Sequence, residues 1–362
     1  MKIVIDLTSL SYHITGIERY ALCITEKMLE EDHINEYILI FRNDIYSIFQ
    51  KYKNEERIKM VVLYGNRKVL FLQIILPKAL RKIKADKFLF FAFPSPVFFC
   101  RKGIYNTFHD MGAWDAGFAM TFTQRLYFKF IYRISAKFSE GIITVSNFSK
   151  KRICEILKIK KEKVYVVNSA FPESLLITNS DINININEKY NLPDKYIMSL
   201  STLEPRKNLV LLLNSFAGVM DKVDYDLVLV GRTGWKMDEV VKKYNSMSRI
   251  HLTGFVKDSD VALIYKNTLC FVFPTLYEGF GLPPIEALAL GTPVISSDAA
   301  SMKEILMEQA VYFKSGNENE LKSLLLNLEK NMSTMPRALN EYQKKNYNFK
   351  ISAKKILKIL KK

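Results

Sequence analysis

The sequence predicts an α/β protein of two tandem Rossmann-like, doubly wound domains facing a cleft. Three observations predict it. Short apolar runs rich in β-branched and aromatic residues alternate with helix-length segments along nearly the whole chain. Those runs are almost continuously apolar, as strands of a parallel sheet covered on both faces should be. The alternation lapses once, in the polar, Asn-rich NSDINININEKYNLP, and then restarts. At 362 residues the chain is long for one core and comfortable for two.

In order, KIVIDL (2–7) reads as the first strand, followed by a turn containing Gly16 and a helix from about Ile17 to Glu30. YILIF (37–41), MVVLY (60–64), KFLFFAF (87–93), GIITVS (141–146) and KVYVVN (163–168) read as further buried strands. VSNFSKKRI (145–153) reads as a capped helix start. After the lapse come KYIMSLS (195–201), DLVLVG (226–231), RIHLTG (249–254), TLCFVFP (268–274) and TPVISS (292–297). The expected boundaries are an N-terminal domain over 1–170, a linker over 171–192, a C-terminal domain over 193–345 and a terminal helix over 346–362.

Composition narrows the class. Hydrophobic residues make up 49% and charged residues 25%, which suits a folded rather than a disordered chain. The four cysteines (Cys23, Cys100, Cys154, Cys270) are dispersed without a CxxC, and are expected to be buried thiols of a reducing compartment. Four histidines give no basis for a His-rich metal centre, and no metal or other cofactor is expected. The opening MKIVIDL is already a strand rather than a secretory signal, and the apolar run 88–100 is too short to span a bilayer. A cytoplasmic location is expected. The net charge of +16 fits a phosphate-bearing ligand or an anionic lipid surface, and equally a lysine-rich solvated exterior. Nucleic acid is not expected, because no RNP, finger or helix-turn-helix signature is present.

The most informative stretch is PTLYEGFGLPPIEALALGTPVISS (274–297). It reads as a strand end, a loop, a helix with Pro283 in its first turn, a stop at Gly291 and a return to the sheet. Gly279, Phe280, Gly281 and Leu282 then precede or open a helix N-terminus, where backbone N–H groups and the helix dipole favour phosphate oxygens. Glu286 is expected in the first helical turn and Glu278 at the strand end, both facing one cleft. A carboxylate accepts hydrogen bonds from the vicinal hydroxyls of sugars and riboses, although both glutamates could instead simply complement the helix dipole.

LSTLEPRKNLVLLL (200–213) adds two adjacent cations, Arg206 and Lys207, at a strand's carboxyl end, with Asn208 placed to cap the next helix. Such a pair suits a diphosphate neutralised without a metal, although a solvated βα loop would carry the same residues. Gly231 ends another strand, where it allows a tight turn or close approach of a ligand, and Phe255 follows Gly254 at a third, where a nucleobase could lie. Asp224-Tyr225-Asp226 has the form of a metal-binding Asp-x-Asp, but it opens a strand rather than closing one and is read as structural.

EGFGLPPIEALALGTPVISS, EPRKN, LTGFVKDSD and the early TGIERY together resemble the retaining glycosyltransferases of family 4, with the GT-B architecture and a Glu-x7-Glu motif. The resemblance runs from the first strand to the end of the chain. It implies a nucleoside-diphosphate sugar as donor, with Glu286 on the ribose, Glu278 on the transferred sugar's hydroxyls, and Arg206 and Lys207 on the diphosphate. YNTFHDMGAWD (105–115) resembles the family's His-Asp segment, which implies that His109 faces the donor sugar, with Asp110 a further candidate for proton handling. Two positions depart from the family pattern: Glu18 stands where a second glycine is common after Gly16, and Asn168-Ser169 replaces an Asn-Gly. The implied reaction is retaining, metal-independent transfer to a saccharide acceptor in bacterial surface-polysaccharide synthesis. A GT-B enzyme of other chemistry, such as an epimerase, and a non-catalytic subunit are the alternatives.

Lys68–Phe88 and the terminal NFKISAKKILKILKK interleave apolar and basic residues. With the net charge, they suggest peripheral binding to the inner face of the cell membrane and a lipid-linked acceptor. Core packing would explain the terminal helix's apolar face equally well.

Overall fold

In the computed structural model, residues 1–10, 16–175, 185–232, 234, 242, 244 and 247–361 are described. They divide into two units, one of Met1–Trp114, Thr121–Ala170 and Lys345–Lys362, the other of Asp115–Met120 and Phe171–Lys344.

The first unit holds a parallel seven-stranded sheet in the order β3-β2-β1-β4-β5-β6-β7. Its strands are β1 (Lys2–Asp6), β2 (Glu36–Arg42), β3 (Ile58–Leu63), β4 (Lys87–Phe90), β5 (Ile104–Thr107), β6 (Gly141–Thr144) and β7 (Val164–Val166). The β1 register, Ile3 against Tyr37 on one side and Lys87 on the other, buries Ile3, Val4 and Ile5 from both faces. That burial accounts for the uninterrupted apolar run.

The second unit repeats the plan with β8 (Tyr196–Leu200), β9 (Asp226–Val230), β10 (Ile250–Gly254), β11 (Phe271–Phe273), β12 (Val294–Ser297) and β13 (Val311–Phe313). Their order is β10-β9-β8-β11-β12-β13, again all parallel. In both sheets the chain winds outward in one direction and then reverses. The reversal leaves a crevice at the carboxyl ends of the two central strands, where open α/β sheets bind ligands. In the second unit that switch point lies between β8 and β11.

Two strands, β5 and β13, fall outside the expected set. β5 carries Asn106 and Thr107 rather than an apolar run, both buried, and β13 has only three residues at the sheet edge. The segment 171–192 includes a helix, Ile186–Tyr190, capped by Asn185 Oδ1. Residues Asn147–Leu157 form the expected helix, with Ser146 Oγ accepting from Ser149 N at 3.1 Å. Only Cys270 of the four cysteines is buried; Cys100 is exposed and the others are half-buried. Burial raises the Cys270 thiol to about 12, which keeps it inert.

The terminal helix, Phe349–Leu360, packs on the helix Gly16–Glu31 of the first unit. Phe349, Ala353, Ile356 and Leu360 are buried, while Lys350 and Lys354 reach Glu31 at 2.9 and 3.0 Å. Core packing therefore accounts for its apolar face. Among the described residues no helix is long and apolar enough to cross a membrane.

Candidate functional site

Two loops meet at the switch point of the second unit. The loop after β8 turns through the short 3-10 segment Pro205–Lys207, and the loop after β11 runs from Pro274 to Gly281. Their backbones are joined: Leu276 N donates to Arg206 O at 2.9 Å and Thr275 Oγ1 to the same carbonyl at 3.3 Å. Asn208 is in the left-handed region at φ 53° and makes no side-chain cap. The sequence leads one to expect a cap; the residue instead supplies the backbone reversal between Lys207 and the next helix.

This junction places Glu278 between two cations. Lys207 Nζ donates to Glu278 Oε1 at 2.6 Å, and Arg206 reaches Oε2 at 3.4 Å. Thr275 Oγ1 adds a third contact at 3.3 Å, and the side chains of Glu278 and Lys207 are only 10% and 13% exposed. Burial pushes the Glu278 carboxyl up. The Arg206 and Lys207 charges, with the Lys207 and Thr275 hydrogen bonds, outweigh it and hold the group below the ordinary carboxylate range. Glu278 is thus an anion at neutral pH. It lies in the loop five residues past β11, not at the strand end.

Several supporting residues carry no signal as isolated letters. Glu204 Oε1 accepts from Arg206 Nε and Nη2 at 3.1 and 3.0 Å, fixing the guanidinium plane. Ser301 Oγ donates to Glu278 O at 2.9 Å, and Ser297 Oγ donates to Thr275 O at 2.6 Å. Both serines pin the β11 loop from β12 and the turn that follows it. EPRKN already contained Glu204; the serines become visible only once β12 is placed beside β11.

The helix Leu282–Ala289 starts after Gly281, which sits at φ 83° as its N-cap. Glu286 is its fifth residue and lies in the second turn, because the left-handed Gly281 sets the start at Leu282. The side chain is buried, and Tyr265 OH donates to its Oε2 at 3.4 Å and to Pro283 O at 3.1 Å. Pro283 and Pro284 have no N–H. The phosphate donors expected at the helix start are therefore reduced to Leu282 and Ile285, together with the amides of Gly279, Phe280 and Gly281 in the loop. Gly291, at φ 85°, closes the helix.

Gly231 has φ 136°, and a Cβ there would lie 2.0 Å from Ser201 O. Close approach of the Ser201 backbone is enough to require this glycine. Gly254, at φ 68°, turns the chain out of β10, and Phe255 follows it with 55% exposure. Arg232 Cζ stands 4.6 Å from the Phe255 ring centroid, so a guanidinium and an aromatic face flank the ends of β9 and β10. Asp224 pairs with Lys195 at 2.5 Å, and Asp226 with Arg249 and His251 at 2.9 and 2.7 Å. Both are thus engaged in ion pairs.

The remaining candidates lie in the first unit. His109 follows β5, and its Nε2 donates to Phe91 O at 2.8 Å, which leaves Nδ1 as the acceptor of the neutral ring. Desolvation lowers its pKa against the opposing effects of that bond and of Asp110. Tyr20 packs edge-on at 5.1 Å and Ser149 Oγ donates to His109 O at 3.1 Å. Asp110 Oδ1 accepts from Gly112 N at 2.8 Å, shaping the turn. Gly16 is the first residue of the helix Gly16–Glu31; the loop expected before it, 11–15, lies outside the described residues.

Residues 182–346 match the sequence profile of the family described as glycosyl transferases group 1. O-antigen chain mannosyltransferase B of Escherichia coli is 25% identical over 327 residues, covering 84% of either chain. These matches support a glycosyltransferase. The serotype-specific mannosyltransferase WbdA of Escherichia coli is 28% identical over 196 residues; the match takes in 52% of this chain and 24% of that longer protein. Among solved structures, sucrose-phosphate synthase of Thermosynechococcus elongatus superposes with TM-score 0.76 at 18% identity, covering 99% of this chain and 98% of its own. Anabaena HepE in complex with UDP and glucose gives TM-score 0.74 at 16% identity, with coverage of 100% and 99%. These likenesses establish the GT-B fold for this chain.

Proposed function

We propose that this chain is a glycosyltransferase that moves a hexosyl unit from a nucleoside-diphosphate sugar to a saccharide acceptor in bacterial surface-polysaccharide assembly, as a retaining, metal-independent member of family 4. One observation carries the site assignment: the buried anion Glu278 held between Lys207 and Arg206 at the switch point of the second unit. The O-antigen mannosyltransferase relatives support the pathway and a hexosyl donor, and HepE with UDP and glucose supports the nucleotide.

On this reading the donor diphosphate takes over Lys207 and Arg206 as its counterions. Charge that develops on the departing nucleoside diphosphate is then stabilised by groups already in place. Glu278, released from those contacts, accepts hydrogen bonds from the hydroxyls of the sugar being moved. Glu286, oriented by Tyr265, accepts from the ribose, and the amides from Gly279 to Leu282 add donors to phosphate. Phe255 with Arg232 offers the base a stacking face. His109 presents Nδ1 as a neutral acceptor for a sugar hydroxyl, and Gly16 opens the corresponding helix in the first unit. Two cations at the phosphate position do the work a divalent ion does elsewhere. The acceptor is taken as lipid-linked and the protein as cytoplasmic and peripheral to the membrane, in keeping with the net charge of +16.

Incubation with mannosyl and glucosyl nucleoside diphosphates, followed by nucleoside-diphosphate release and the anomeric configuration of the product, tests the proposal. Donor-dependent release should persist in EDTA and fall in Glu278→Gln. Inversion at the anomeric carbon would remove the retaining assignment, and chelator-sensitive activity restored by Mg²⁺ would remove metal independence.

A further inference from the structure

We propose that the helix Phe122–Phe138 of the first unit is the surface that docks on an anionic phospholipid membrane. This deepens, and rests on, the peripheral-membrane part of the proposed function. It places the contact on a helix other than the two basic amphipathic segments that stand out in the sequence.

Phe122, Leu126 and Phe130 are 79%, 61% and 55% exposed. With Arg133 and Lys137 they fall within an arc of about 80° on the helix at 3.6 residues per turn. The opposite side, at Ile131 and Ser135, is buried, and so is Ala136 on one flank. One outward face is thus apolar along its first half and basic along its second. The helix contains Arg125, Lys129, Arg133 and Lys137 and no acidic residue. Among the described residues no carboxylate pairs with these four. Three large apolar side chains in a row on solvent, with cations around them that have no carboxylate partner, is the composition of an interfacial helix rather than of a solvated one.

Neighbouring features extend the surface. Lys129 Nζ and Arg133 Cζ each lie 5.6 Å from the Trp114 ring centroid, bringing a half-buried indole to the basic edge. Gln73 Nε2 meets Tyr127 OH at 3.4 Å, which sets the helical run 68–82 beside this helix. That run buries Phe71, Leu76 and Leu80 but leaves Val69, Leu70 and Ile74 at 60%, 46% and 54% exposure. At the far end of the stripe, a groove of about 760 Å³ is lined by Arg133, Lys137, Lys158, Lys160 and Lys163, against Glu140 and Glu162. The charge surplus there matches lipid phosphates, and the apolar half matches the acyl boundary beneath them.

Flotation of the full chain with phosphatidylcholine vesicles, with and without phosphatidylglycerol, tests the docking surface. Binding should require phosphatidylglycerol and weaken with added salt. The triple variant Phe122→Ser, Leu126→Ser, Phe130→Ser should lower vesicle partition by about a hundredfold. Arg133→Gln with Lys137→Gln should lower it about fivefold per charge removed. In a Trp235→Phe background Trp114 is the sole indole, and its emission should shift to the blue on adding anionic vesicles. Undiminished flotation of the triple variant, equal binding to neutral vesicles, or a concentration-dependent dimer that the triple variant abolishes would each overturn the proposal. Transfer to a soluble acceptor without vesicles is scored separately. A chain that binds vesicles but transfers no sugar refutes the function and keeps the surface, and the converse refutes only the surface.

Discussion

Lys207 Nζ lies 2.6 Å from Glu278 Oε1 across 71 residues of sequence, both side chains nearly out of solvent at the switch point of the second sheet. The pair is a poised exchange. The ammonium now neutralises the carboxylate, and an incoming diphosphate offers it a stronger anion while leaving the carboxylate for hydroxyls. Glu278→Gln should therefore reduce transfer by about 10²–10³-fold. A double-mutant cycle with Lys207→Met, read by denaturant unfolding, should give a coupling of about 1–3 kcal/mol. Additive effects would mean that the two side chains do not act on each other.

Arg206 is held flat by Glu204, so its loss should act mainly through the diphosphate. Arg206→Ala and Lys207→Ala should each weaken nucleoside-diphosphate binding by about 1.5–3 kcal/mol, the range for hydrogen bonds to charged groups. Thermal shift with the nucleoside diphosphate against the bare nucleoside isolates the effect, because the nucleoside lacks the groups the two cations would contact. An equal loss for both ligands would remove the clamp.

Gly231→Ala tests backbone geometry with no charge involved. Its Cβ would meet Ser201 O at 2.0 Å from a φ of 136°. Strain plus overpacking should cost about 3 kcal/mol. Chemical denaturation reads it directly, and a change under about 0.5 kcal/mol, the size of an ordinary surface substitution, would mean that the loop after β8 is loosely held.

His109 gives the stability a pH dependence. Its folded pKa lies below the ordinary 6.5, so below that value the unfolded chain binds the extra proton. The contribution is fully present above pH 6.5 and is lost as pH falls toward the lowered folded value. His109→Gln should flatten this part of the stability–pH profile. Glu278, also lowered, acts further into acid: its contribution is present above the ordinary carboxylate value and fades as pH falls through the folded one. A wild-type profile unchanged by His109→Gln would refute the assignment.

The sheets were largely legible because parallel strands buried on both faces announce themselves as apolar runs. β5 escaped for a definite reason. Asn106 is buried in mid-strand, with Oδ1 accepting from Ser95 N and Nδ2 donating to Ser95 Oγ and Ser139 Oγ, so its polarity is satisfied by tertiary partners that no local pattern shows. Glu278, Arg206 and Lys207 stood out as charges at strand ends, yet their pairing depends on β8 and β11 becoming neighbours. Glu286 falls a turn later than the spacing suggests because the left-handed Gly281 fixes the helix start, and of the two reasons for Gly231, a tight turn or a close ligand, the Ser201 carbonyl supports the first. The stripe on the helix Phe122–Phe138 was hidden because exposure is a property of packing, and Ile131 and Phe130 are equally apolar as letters.

The first unit gathers segments that lie far apart along the chain. Its helix Gly16–Glu31 is covered by Phe349–Leu360, with Glu31 tied to Lys350 and Lys354. During synthesis this unit therefore waits for residues 349–360 to leave the ribosome, while the second can close earlier. A premature stop just before Phe349 would strip the beginning of the protein rather than the neighbourhood of the lesion.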